Sequence, residues 1–161
     1  MKTKVFFLFL IISARISAQG PAEIVPAFKL YKQDKSIFTN TNLAQGKMLF
    51  FVFFDATCDH CQHAFQYMNQ HHREFDKAAV YFITIDNPAT TAIFLNKYGN
   101  NLKGKRNSTF LLDLNNEFIK KFKPRKYPSM FLYSAQKKLI LYDDDEQNLF
   151  RFTQLINAPG R

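Results

Sequence analysis

Cys58 and Cys61 are the only thiols in the chain, and Asp59 and His60 alone separate them. A thiolate is the nucleophile of disulfide exchange. Two intervening residues let the second thiol reach the first sulfur, so a mixed disulfide with a substrate can be resolved from within the same molecule. As a structural staple the pair is poor. Closing so small a ring stabilises a fold by roughly 2 kcal/mol, against about 4.7 kcal/mol for a 100-residue loop. The spacing therefore suits a reactive pair, with Cys58 the attacking sulfur and Cys61 the resolving one. His60 can favour the Cys58 thiolate through its ring N–H or its charge, and Asp59 opposes that effect.

The elements flanking the pair have the right character to position it. Met48 to Phe54 is a run of seven apolar residues, the mark of a strand buried on both faces. Directly afterwards Cys61, Ala64, Phe65, Met68, His72 and Phe75 recur at three- and four-residue spacing, which predicts one helix with these residues on its inner face. The cysteines thus straddle a strand-to-helix junction. A helix N-terminus presents unpaired N–H groups and positive potential to a thiolate placed there.

Elsewhere the pattern alternates. Phe28, Leu30 and Ile37, Phe38 predict two short strands around the turn Gln33-Asp34-Lys35. Val80 to Ile85 predicts another buried strand. Asn87, Pro88 and Gly99 bracket a helix as cap, first turn and stop, and residues 100–108 form a polar, basic loop. Phe110 to Leu112 reads as a strand and Asn116 to Phe122 as a helix, with Glu117 early and Lys120, Lys121 late, as the helix dipole favours. Ser129 to Tyr133 and Leu139 to Tyr142 form a hairpin around Ala135-Gln136-Lys137. Asp143 to Glu146 brings negative charge to the start of a last helix carrying Leu149, Phe152, Leu155 and Ile156. The order β-β-β-α-β-α-β-α-β-β-α predicts an α/β sandwich with parallel central strands and an antiparallel edge.

The chain has 161 residues, enough for one domain with a sizeable core. Residues 1–18 read as a cleaved signal peptide: Lys2 and Lys4 precede the eight-residue apolar run Val5 to Ile12, and Ile16-Ser17-Ala18 offers the cut. That run is far short of the roughly 20 residues a membrane-spanning helix needs. Residues 19–25 form a lead-in and 26–161 the domain. The expected compartment is the periplasm, with secretion as the alternative. Loss of Lys2, Lys4 and Arg15 leaves 19 basic against 13 acidic residues. The cations gather at Lys103, Lys105, Arg106 and at Lys120, Lys121, Lys123, Arg125, Lys126. This pattern reads first as a solvated face, and otherwise as a surface that steers acidic partners or meets a membrane.

A metal carrier is the competing class, with Cys58, Cys61, His60, His63, His71 and His72 as soft ligands. His60 and His63 share a short helix with the cysteines and do not converge on them by spacing. Adjacent His71-His72 does not supply a finger-like second pair either. A non-catalytic binding module is the third class, and two intact cysteines argue against it.

Taken in order, Pro26-Ala27-Phe28-Lys29-Leu30, Ser36-Ile37-Phe38, Gly46 to Phe51 and Cys58-Asp59-His60-Cys61 resemble the thioredoxin-like redoxin superfamily. They are nearest its exported TlpA/ResA and AhpC/TSA-related branch. Asp113, Tyr127-Pro128, Phe131-Leu132-Tyr133 and the closing helix follow the same pattern, so the resemblance spans residues 26–156. It implies a thioredoxin-like fold: a central mixed sheet flanked by helices, with an N-terminal β extension and an inserted strand–helix unit. It also implies a cis bond before Pro128, which lies beside the cysteines, and substrate docking on Tyr127 backbone groups. The implied activity is thiol–disulfide oxidoreduction with disulfide or dithiol proteins or small thiols, recycled by a redox partner, with no cofactor and no nucleic acid. Three departures bear on it. Thr57 and Phe54 stand where the branch carries Trp, and Val52 stands where thioredoxins carry a buried acid. Phe51 and Asp55 occupy the Pro and Thr positions of the peroxiredoxin pattern, so peroxidase activity is not expected.

Overall fold

The computed structural model describes residues 20–159; the expected signal peptide lies outside them. Among these residues seven strands form one sheet in the order β2-β1-β5-β4-β3-β6-β7. They are β1 (Lys29–Lys32), β2 (Ile37–Thr39), β3 (Met48–Phe53), β4 (Ala78–Thr84), β5 (Ser108–Leu112), β6 (Ser129–Tyr133) and β7 (Leu139–Asp143). β3, β4 and β5 run parallel, while β6 pairs antiparallel with β3 and β1 antiparallel with β5. Among the described residues four helices cover the sheet: α1 (Asp59–Gln70), α2 (Pro88–Tyr98), α3 (Glu117–Phe122) and α4 (Leu149–Asn157). The predicted order, the N-terminal hairpin and the inserted α2–β5 unit are all present.

Alternation along β3 divides the core. Phe50, Val52 and Phe54 point to the side covered by α1, α2 and α4, where Phe65 packs against Phe54, Phe82 and Phe94 at 4.6, 5.1 and 4.8 Å between ring centroids. Leu49, Phe51 and Phe53 point to the side covered by α3 and the N-terminal hairpin, with Phe28, Phe118 and Phe122. A strand buried on both faces has no polar side, which is why the run of seven apolar residues is unbroken. The lead-in packs on this second side: Val25 is buried, and the Ala22 N–H donates to the Phe122 carbonyl.

Several boundaries differ from expectation; β4 and β5 each begin two residues earlier than read, at Ala78 and Ser108. The helix after the cysteines stops at Gln70, and His72 and Phe75 belong to a separate 3-10 turn, His72–Phe75. His71 turns the chain there, its N–H donating to Tyr67 O and its ring bonding Glu74 at 2.8 Å. Phe75 still reaches the core. The last helix begins at Leu149, because Asp143 ends β7 and the Asp145 carboxylate caps a 3-10 turn, Glu146–Asn148. Finally, β4 ends at Thr84, leaving Ile85 exposed beyond it.

Candidate active site

β3, an interior strand, delivers the chain to the C-terminal end of the sheet, and a pinned loop turns it into α1. The Phe54 N–H still donates to Ile83 O. Asp55 then takes the Thr57 N–H and hydroxyl on Oδ1 at 2.7 and 2.6 Å, and its carbonyl accepts the Cys58 N–H at 3.3 Å. From the loop after β4, Asp86 Oδ2 accepts the Ala56 N–H at 2.8 Å and the Thr84 hydroxyl at 2.7 Å. Two carboxylates thus hold Ala56 and Thr57, and backbone carbonyls hold Phe54 and Cys58 on either side. Rigid support of this kind holds a reactive group in place.

Cys58 is the N-cap residue of α1 and half-buried; Cys61 is fully buried one turn further in, and both are free thiols. The Cys58 side chain does not cap the helix. Its thiol instead lies 3.6 Å from the Tyr127 carbonyl oxygen, a geometry suited to a weak S–H donor. The Tyr127–Pro128 peptide bond is cis and Pro128 is buried. The loop before β6 thus brings Tyr127 and Pro128 beside the cysteines, as the resemblance implied.

Burial pushes the Cys61 thiol far above its ordinary range, and the neighbouring Cys58 and Asp55 add to this. A backbone N–H from Asp55 offsets part of the rise. Val52, wholly buried on the Cys61 side of β3, supplies no acid. Tyr127 packs its ring 4.9 Å from Phe53, and burial, with the charges of Asp55 and Asp86, holds its phenol protonated.

The two residues between the cysteines face solvent. Asp59 accepts a bond from Gln62 at 3.3 Å within its own helix. His60 reaches across to Glu146, Nδ1 to Oε1 at 2.9 Å. Burial raises the Glu146 carboxyl, but the His60 bond and the charges of His60 and His63 bring it below its usual range. The sequence pattern did not single out Glu146 or Asp86. The run Asp143 to Glu146 signalled only a helix start, and the Thr84-Ile85-Asp86 segment carries no spacing that points at Ala56.

Of the remaining histidines, His71 and His72 are engaged elsewhere, while the charge of His63 acts on Glu146. His71 bonds Glu74, and His72 lies against Lys105 Nζ at 3.1 Å. Among the described residues no three His, Cys, Asp or Glu side chains converge as a metal-binding group.

The AhpC/TSA family pattern matches residues 21–142. The chain belongs to the AhpC/TSA family. No curated protein matches it by sequence. Among solved structures, this AhpC/TSA chain is similar to a protein assigned as thiol:disulfide interchange protein DsbE in Chlorobium tepidum, with TM-score 0.68 and 16% identity over 86% of this chain and 98% of that one. It is also similar to the thioredoxin domain of a thiol-disulfide oxidoreductase from Bacteroides vulgatus, with TM-score 0.67 and 13% identity over 88% and 100%. A thiol-disulfide oxidoreductase from Bacteroides fragilis gives 0.65 and 17% over 82% and 98%. At such identities the likeness establishes a thioredoxin-like fold for this family member. Among its described residues no helix is long and apolar enough to cross a membrane.

Proposed function

We infer that this protein is an exported thiol–disulfide oxidoreductase in which Cys58 attacks and Cys61 resolves. The observation that carries the reading is the asymmetry of the two thiols. Cys58 is accessible at a helix start beside the Tyr127 carbonyl, and Cys61 is buried behind it.

In the reducing direction the Cys58 thiolate attacks one sulfur of a substrate disulfide. That S–S bond breaks, a Cys58–substrate disulfide forms, and one substrate thiolate leaves and takes up a proton. Cys61 then loses its proton to the second departing sulfur or to water and attacks Cys58 Sγ. The Cys58–Cys61 disulfide forms as the second substrate thiol departs. Two electrons pass to the substrate, and the reverse sequence oxidises a dithiol.

Tyr127 and Pro128 are the docking edge in this reading, where an extended substrate segment meets the loop before β6. His60 and Asp59 tune the couple. Cys61 cannot resolve until it is deprotonated, and burial without an acid at Val52 makes this step slow. Peroxidase activity does not belong to the reading, because Phe51 and Asp55 replace the Pro and Thr of the peroxiredoxin pattern.

Trapping tests the assignment. Cys61→Ser should accumulate mixed disulfides through Cys58, and Cys58→Ser should not. Equal trapping by both variants, or trapping through Cys61 alone, contradicts it.

A further inference from the structure

The end of the sheet opposite the cysteines carries a ring of cations contributed by successive loops. β3, β4 and β5 are parallel and start at that end, since Met48 pairs with Ala78 and Val80 with Ser108. Lys47 immediately precedes β3, Lys77 precedes β4, and Lys105 and Arg106 lie just before β5. The β6–β7 turn reaches the same end, because Leu49 pairs with Tyr133 and Tyr133 with Leu139. That turn adds Lys137 and Lys138. Lys47, Lys77, Arg106 and Lys138 are exposed, and among the described residues no ion pair engages them. The carboxylates nearby are Glu23, Glu74 and Asp76; Asp76 is held by Lys105 at 2.6 Å and Glu74 by His71 at 2.8 Å.

This surface is concave and partly apolar. A cleft of about 650 Å³ sets Lys47 and Lys77 together with Met48, Ile140, Ile156 and Pro159. A second hollow of about 310 Å³ adjoins it through Lys47 and includes Lys105 and Arg106. Ile24, bridged to Lys138, is 63% exposed beside them. Cations alone suit any polyanion. Cations around an apolar cleft with a protruding isoleucine suit an anionic amphiphile, with its charge on the lysines and its hydrocarbon against the apolar lining.

We propose that this pole docks on a bilayer through anionic phospholipid headgroups. The docked orientation has a consequence for chemistry. The cysteines sit at the far ends of the same strands, about 20 Å away for a six-residue strand, and so face away from the bilayer, open to a partner in solution. The proposal does not depend on the redox reading.

Co-sedimentation with vesicles tests it. The protein should sediment with phosphatidylcholine vesicles containing about three parts in ten phosphatidylglycerol, and more weakly with phosphatidylcholine alone. Each cation near such a surface contributes about fivefold in affinity. The triple variant Lys47→Gln, Lys77→Gln, Arg106→Gln should therefore lose on the order of a hundredfold, and Arg106→Gln alone about fivefold. Any pull from residues 1–18 is common to all these proteins and cancels in the comparison. Unchanged Cys58 alkylation rates and melting temperatures establish that the variants are folded. Should the triple variant misfold, the single variant still decides.

Equal binding to both vesicle types, or undiminished binding by the variants, overturns the proposal. So does displacement by inorganic phosphate at constant ionic strength, which marks a free-anion site. Binding to an acidic polypeptide without binding to the anionic vesicles also overturns it, in favour of a protein partner.

Discussion

His60 and Glu146 are 86 positions apart in the chain and 2.9 Å apart in the fold, imidazole Nδ1 against carboxylate Oε1. An ionised carboxylate only accepts, so the proton of this bond sits on Nδ1. The charge of a protonated His60 is thereby opposed by a negative charge on the 3-10 turn before α4, and Cys58 meets the field of a pair rather than of a lone imidazolium. Each partner, removed alone, leaves the other uncompensated.

Opposite shifts follow from the two substitutions. Glu146→Gln, which leaves a protonated His60 unopposed, should favour the Cys58 thiolate and raise the reduction potential. His60→Pro should lower it, because Glu146 stays behind unopposed. A shift of about 30 mV corresponds to 1.4 kcal/mol for a two-electron couple. Glutathione equilibration of the three proteins measures both; shifts of the same sign, or none, show that the pair does not tune the couple.

The buried Cys61 thiol makes the reduced protein sensitive to alkali. Its folded pKa lies above the unfolded value of about 8.5. Its contribution to stability is therefore complete below that pH and lost as pH rises towards the folded value, since only the unfolded chain ionises there. Tyr81 and Tyr133, likewise raised by burial, extend the loss above about pH 10. Urea midpoints of the reduced protein should fall from about pH 8.5 upward, and Cys61→Ala should flatten the first part of that fall. An unchanged profile in the variant contradicts the assignment to Cys61.

Asp113 is the true cap of α3. Its carboxylate accepts the N–H groups of Glu117 and Phe118 at 2.7 and 2.9 Å, while Asn116, in a left-handed conformation, makes no side-chain cap bond. Burial raises the Asp113 carboxyl, partly offset by those donors. Asp113→Ala should cost about 1–3 kcal/mol in chemical denaturation, because buried donors lose their acceptor. A loss well under 1 kcal/mol, within the scatter of surface changes, shows that water replaces the carboxylate.

The sheet and the cysteine junction were legible because periodicity and chain order suffice for them. The run Met48 to Phe54 fitted a strand buried on both faces, which the structure places at Met48–Phe53, and Asn87-Pro88 to Gly99 carried its own start and stop. Relations between distant loops were not legible. Nothing in a single sequence places Glu146 on His60 or Asp86 on the Ala56 N–H, since these depend on which loops share an end of the sheet. Helix ends failed where a side chain intervened, as His71 does by bonding Glu74 and as Asp145 does by capping the 3-10 turn ahead of α4.

The reactive nature of the Cys58–Cys61 pair is best tested by its reduction potential, measured against glutathione with the intramolecular disulfide quantified by mass spectrometry. A single two-electron transition between the values of thioredoxin and DsbA, about −270 and −120 mV, is expected. A couple below about −300 mV, the range of structural disulfides, or a protein that forms no bond between Cys58 and Cys61, would contradict it.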